Sequence, residues 1–86
     1  MIEGNLNSFD LMAILIEKEA FDIELNGTDM FNINSDWIWS EIFENKIVEA
    51  NTFGDSMIYI KYIKDNAEQE LIIIFDFDIE DYFGVA

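Results

Sequence analysis

Apolar and polar positions follow two rhythms along this chain, and each rhythm predicts an element. In "NSFDLMAILIEKEA" the spacing is helical. Ser8 stands where an N-cap belongs and Asp10 falls in the first turn, where a negative charge suits the helix dipole. A helix is predicted over about residues 9–19, with Leu11, Met12, Leu15 and Ile16 as its buried stripe, although the run from Leu11 to Ile16 also fits a buried strand. "FDIELNGTDMFNI" has a period of two: Phe21, Ile23 and Leu25 on one face, Asp22 and Glu24 on the other. Asn26-Gly27 is the preferred pair for a two-residue type I′ turn, which returns the chain as a strand from Asp29 to Ile33. Asn26-Gly27-Thr28 also matches a glycosylation sequon; without a signal peptide the turn is the expected role.

The helical rhythm comes back in "NSDWIWSEIFENK". Ser35 or Asn34 caps a helix over about 36–45. Ile38 and Ile42 share its inner face, with Trp39 and Phe43 adjoining, while Asp36, Glu41 and Glu44 point elsewhere and Lys46 suits its C-terminal end. Three strands then form a meander: Ile47 to Phe53, Met57 to Ile63 and Glu70 to Phe77, joined by Gly54-Asp55-Ser56 and by "KDNAEQ". On the middle strand Ile58, Ile60 and Tyr62 share one face. On the last, Leu71, Ile73, Phe75 and Phe77 face one way and Ile72, Ile74, Asp76 and Asp78 the other. "IEDYFG" closes the chain as a turn or short helix. The order helix, hairpin, helix, meander predicts one small α+β domain over residues 1–86: a twisted antiparallel sheet, hairpin plus three-stranded meander, with two helices packed on one face. The other face is expected to be covered by the hairpin or to meet a partner.

Charge changes the picture. Nineteen Asp and Glu stand against four Lys, with no Arg and no His, for a net charge of −15 in 86 residues. No Lys or Arg follows Glu68. With 51% apolar residues the chain is too hydrophobic for a disordered acidic tail. The sign excludes direct nucleic-acid binding, which needs cations at phosphates, and an anionic membrane surface. No apolar run reaches the roughly 18 residues of a membrane span, and the N-terminus lacks the basic start of a signal peptide, so a cytoplasmic location is expected, that of a bacterial host if a phage encodes the chain. The abundance of Ile and Asn and the lack of Pro and Arg fit an AT-rich genome.

The chemistry available is narrow. Without His, Cys or Arg, the usual general base, thiol nucleophile, zinc ligands and bidentate anion clamp are missing. Ser8, Thr28, Ser35, Ser40, Thr52 and Ser56 stand in no nucleophile motif. "DFDIED" fails the calcium-loop pattern, lacking Gly at the sixth position and Glu at the twelfth. The chain is therefore read as no enzyme, with no cofactor and no dedicated metal site.

What remains is regularly spaced carboxylates. On a strand, residues i and i+2 lie roughly 6.5 to 7 Å apart. Asp76 and Asp78 form one such ladder, extended by Glu80 and Asp81. Asp22 and Glu24 form a second, with Asp29 across the hairpin; Asp36, Glu41 and Glu44 lie on the second helix. Such a scaffold can imitate the phosphates of a nucleic acid, or each ladder can be the solvated face of its element. Trp37, off the Ile38/Ile42 stripe, and Tyr82, beside Asp81, are the candidate aromatic anchors in a charged rim.

In size, charge and layout the chain resembles the small acidic inhibitors that phages use against bacterial defence, the anti-CRISPR proteins and related DNA mimics. The stretches that carry the likeness are "FDIELNGTD", "SDWIWSEIFEN" and "IIIFDFDIEDYF". The likeness spans the whole chain and includes no family motif, so no residue role transfers with it. It implies a non-enzymatic inhibitor that binds a basic nucleic-acid-handling protein or ribonucleoprotein effector, such as a CRISPR nuclease or surveillance complex, and blocks its nucleic-acid surface. An immunity protein against a basic nuclease toxin has the same physics. An acidic homodimeric assembly domain is the third expectation, so the chain is expected as a monomer or a homodimer.

Overall fold

In the computed structural model, which describes residues 5–31 and 34–83, the chain runs α1 (Ser8–Glu17), β1 (Asp22–Leu25), β2 (Thr28–Asp29), α2 (Ser35–Phe43), β3 (Lys46–Phe53), β4 (Met57–Lys64), β5 (Ala67–Ile74) and α3 (Ile79–Phe83). The five strands form one antiparallel sheet in the order β2-β1-β5-β4-β3. This is the α+β architecture that the pattern predicts.

Local chemistry sets most boundaries. α1 starts one residue before the expected position because Asn7, not Ser8, is the cap. Its Oδ1 accepts the Asp10 N–H at 2.9 Å and the Asp10 carboxylate accepts the Asn7 N–H at 3.2 Å, a reciprocal capping box. Asn34 caps α2 by accepting the Trp37 N–H at 2.9 Å. Asn26 and Gly27 both have positive φ, 52° and 84°, as a type I′ turn requires. The β4–β5 connection is far tighter than the six residues expected. Asp65 and Asn66 take φ of 52° and 64° and form a two-residue turn, so β5 begins at Ala67. β2 is only two residues long, against an expected strand reaching Ile33; residues 32 and 33 lie outside the described residues.

The register places β1 beside β5, with Asp22 opposite Ile74, Glu24 opposite Ile72, and Ile23 opposite Ile73. The turn residue Asn26 reinforces this join. Its N–H donates to the Glu70 carbonyl, its Oδ1 accepts the Glu70 N–H, and its Nδ2 donates to Gln69 Oε1, each at 2.8 Å. Every buried strand side chain, Ile23, Ala50, Ile58, Ile60, Tyr62, Leu71 and Ile73, lies on one face of the sheet. Leu6, Leu11, Ile14 and Leu15 from α1 and the residues before it, Ile38 and Ile42 of α2, and Phe75 and Ile79 after β5 complete that core. The α1 stripe is thus Leu11, Ile14 and Leu15; Met12 is half-buried and Ile16 is 72% exposed, which corrects the expected stripe. A strict i, i+3, i+4 set turns the helix by one position relative to two adjacent pairs.

Candidate protein-interaction surface

The face of the sheet turned away from the helices carries no buried side chain among the described residues. Its centre is nevertheless apolar. Ile72 and Ile74 on β5 stand next to Tyr59 and Met57 on β4, with Phe53 across from Met57 on β3 and 50% exposed. Acids border this band. On the β1 side the register puts Asp22 beside Ile74, Glu24 beside Ile72, and Asp29 opposite Glu24. Further along the strands, Glu70 pairs with Lys61 and Lys61 with Glu49, while Lys61 Nζ lies 3.5 Å from Glu68. A bulge at Val48 keeps these β3 residues in phase with the face. The period-two alternation of β5 puts Glu68 and Glu70 on the face of Ile72 and Ile74, whereas Glu49 joins that face only through the bulge, and only the strand order makes all three part of the surface that holds Asp22 and Glu24.

Asp29 is the electrostatic outlier. Its Oδ1 is buried and accepts no hydrogen bond. Burial, a side-chain contact with Asp22 and the charges of Asp22 and Glu24 push its carboxyl above the ordinary value of 3.8. Like charges directly opposite each other across a strand pair repel, so the hairpin holds this arrangement at a cost to its own stability.

The second acidic region lies beyond the end of β5. The Phe75 N–H donates to the Ser56 carbonyl and the Ile79 N–H to the Asp55 carbonyl, both at 2.8 Å, which fastens the segment to the β3–β4 turn. Asp76, Asp78, Glu80 and Asp81 are all exposed. They do not form the expected strand ladder, because β5 ends at Ile74; Asp78 Oδ1 instead accepts the Glu80 N–H at 2.9 Å, at the start of α3. Tyr82 is half-buried among aromatics, its ring 6.2 Å from Phe77 and 5.0 Å from Phe83, and it packs against the core.

The α2 candidates separate. Asp36 and Glu44 are exposed, but Glu41 is buried and takes no part in an acidic surface. It accepts from the Tyr62 hydroxyl at 2.6 Å and from Lys64 Nζ at 2.9 Å. Burial pushes its carboxyl up, but the hydrogen bonds from Tyr62 and Lys64 and the Lys64 charge outweigh this and hold it below the ordinary 4.5. Burial and Glu41 push the Tyr62 phenol well up. Trp37 is half-buried against the core, whereas Trp39 is the more exposed tryptophan and packs against Phe43 with ring centroids 4.6 Å apart and the rings tilted by 52°. Trp37, the expected anchor, thus has one part on the core and one part open to solvent. Beside Trp39, an open depression of about 620 Å³ lies between α1 and α2, lined by Ile16, Glu17, Ser35 and Asp36 among others.

Cations are scarce, and three of the four lysines are engaged. Lys61 and Lys64 pair with Glu68 and Glu41, and Lys18 Nζ sits 5.5 Å from the centre of the Phe77 ring. Among the described residues no group of His, Cys, Asp and Glu is arranged to hold a metal ion, and no helix is long and apolar enough to cross a membrane. No family model, no curated protein and no solved structure matches the chain.

Proposed function

We propose that the protein is a non-enzymatic acidic inhibitor that binds a basic, nucleic-acid-handling effector and occupies its cationic surface, with a CRISPR nuclease or surveillance complex as the leading target. The observation that supports this reading is the uncompensated charge. Of four lysines, three are engaged with the chain's own side chains, while carboxylates line the open sheet face and the segment after β5. A protein of this kind is steered to a positive cleft and then held by apolar contacts. An immunity protein would use the same chemistry on a toxin nuclease, and the identity of the captured effector separates the two.

The test begins with capture from a bacterial host lysate at low and at high salt. The recovered effector is then assayed for nucleic-acid binding with and without the protein. Capture that weakens with salt, together with displacement of nucleic acid, is expected. Replacing Asp76, Asp78, Glu80 and Asp81 by Lys should slow association while the fold survives. An effector that keeps its nucleic acid in the presence of saturating protein would sink the proposal.

A further inference from the structure

We infer that the uncovered sheet face is the docking surface, and that its occupant is an arginine-bearing segment of the partner. This rests on the reading of the protein as an acidic inhibitor and specifies which face acts and what it recognises.

The register carries the argument. Asp22 and Glu24 stand directly beside Ile74 and Ile72, and neighbouring strands lie about 4.8 Å apart. A ligand on this face therefore meets aliphatic surface and carboxylate within one side chain's length. Arginine has that composition: its methylene stem covers apolar surface while its head stays polar. The guanidinium offers five donors in a planar fork that matches carboxylates, which the compact ammonium of lysine does not. Asp22 Oδ1 accepts the Ile23 N–H at 2.9 Å, but one acceptor beside it has no donor. Asp29 Oδ1 is buried without a hydrogen bond, opposite Glu24. Tyr59, next to Ile72, adds an aromatic face of the kind on which guanidinium stacks. A second copy of the chain is a poor occupant. A twofold interface must be self-complementary, yet this face presents Asp22, Glu24, Asp29, Glu49, Glu68 and Glu70 against Lys46 and Lys61.

The experiment titrates hexa-arginine and hexa-lysine peptides into the isotope-labelled protein and follows backbone amide shifts by NMR. The expected result is a set of shifts centred on β1, β5 and β4, with hexa-arginine about tenfold tighter than hexa-lysine. The double variant Glu24→Gln/Asp29→Asn should weaken hexa-arginine about tenfold. Glu19→Gln/Asp65→Asn removes the same charge elsewhere and should change it about twofold or less. Ile72→Thr should lower arginine affinity and narrow its advantage over lysine, with the amide spectrum reporting that each variant is folded. Equal affinity for the two peptides, equal losses in the two double variants, or shifts scattered over every acidic region would overturn the inference. Concentration-dependent dimerisation through this face would do so as well. Effector displacement remains a separate readout: if it holds while the shifts map elsewhere, only the docking assignment fails. If the peptides map here but no effector is displaced, only the inhibitor reading fails.

Discussion

Glu41 is the residue whose role depends most on its three-dimensional setting. It lies three positions after Ile38 and next to Ile42, so the helical period already places it on the inner stripe of α2. What no local pattern supplies is its partners, Tyr62 and Lys64, more than twenty residues away. Glu41→Ala should destabilise the fold by about 2 kcal/mol, because the buried Tyr62 hydroxyl loses its acceptor while the exposed Lys64 recovers solvation. Tyr62→Phe should cost about 1 kcal/mol. Since the folded Glu41 carboxyl lies below its ordinary 4.5, its contribution is complete above that value and is lost as pH falls through the lowered one. The stability difference between wild type and Glu41→Gln, followed by denaturant titration, should shrink over that interval. Asp29 behaves oppositely. Its folded carboxyl is raised, so the folded state holds its proton more tightly and loses stability as pH rises from 3.8 through the raised value. Asp29→Asn should therefore raise the melting temperature at pH 7, and the gain should fade as the medium is acidified.

At the scale of elements, turn chemistry is legible where glycine takes part and hidden where it does not. Asn26-Gly27 announces its turn because a type I′ geometry needs positive φ at both central residues. Asp65-Asn66 meets the same demand without glycine and so blends into a polar stretch that reads as a long loop. This turn consequently carries avoidable strain. Asn66→Gly should stabilise the protein by roughly 0.5 kcal/mol, measurable as a rise in the denaturation midpoint at unchanged slope. The end of β5 was equally hidden. Alternation continues through Phe75 and Phe77, yet Phe75 and Ile79 direct their N–H groups to the β3–β4 turn and α3 begins. Asp76 and Asp78 thereby leave the sheet face to which their spacing assigned them.

Across the whole molecule, charge opposes compactness. A net charge of −15 on 86 residues repels itself throughout the folded volume. Moderate salt screens such repulsion over roughly 10 Å at 0.1 M. The melting temperature should therefore rise between low ionic strength and a few tenths molar sodium chloride, while effector binding weakens over the same range. A melting temperature that falls with salt would mean that its few ion pairs, rather than its repulsion, dominate the electrostatics. The molecule tolerates the repulsion because its core is continuous, with side chains from three helices and four strands meeting on one side of the sheet.

The sequence by itself determined the class of fold, the two main helices, the NG hairpin and which residues share a face on β4 and on β5, since local propensity, capping and periodicity act within a few residues. It also determined the acidity and the narrow chemistry, which follow from composition. Only the tertiary structure decided that β1 lies against β5. That pairing brings Asp22, Glu24 and Asp29 to the edge of an apolar band whose Ile72 and Ile74 lie more than forty residues further along the chain. It likewise decided that Glu41 meets Tyr62 and Lys64, and that Trp37 packs against the core while Trp39 is the more exposed. Such choices depend on which distant surfaces can be buried together at close packing, and no short stretch of chain holds that information.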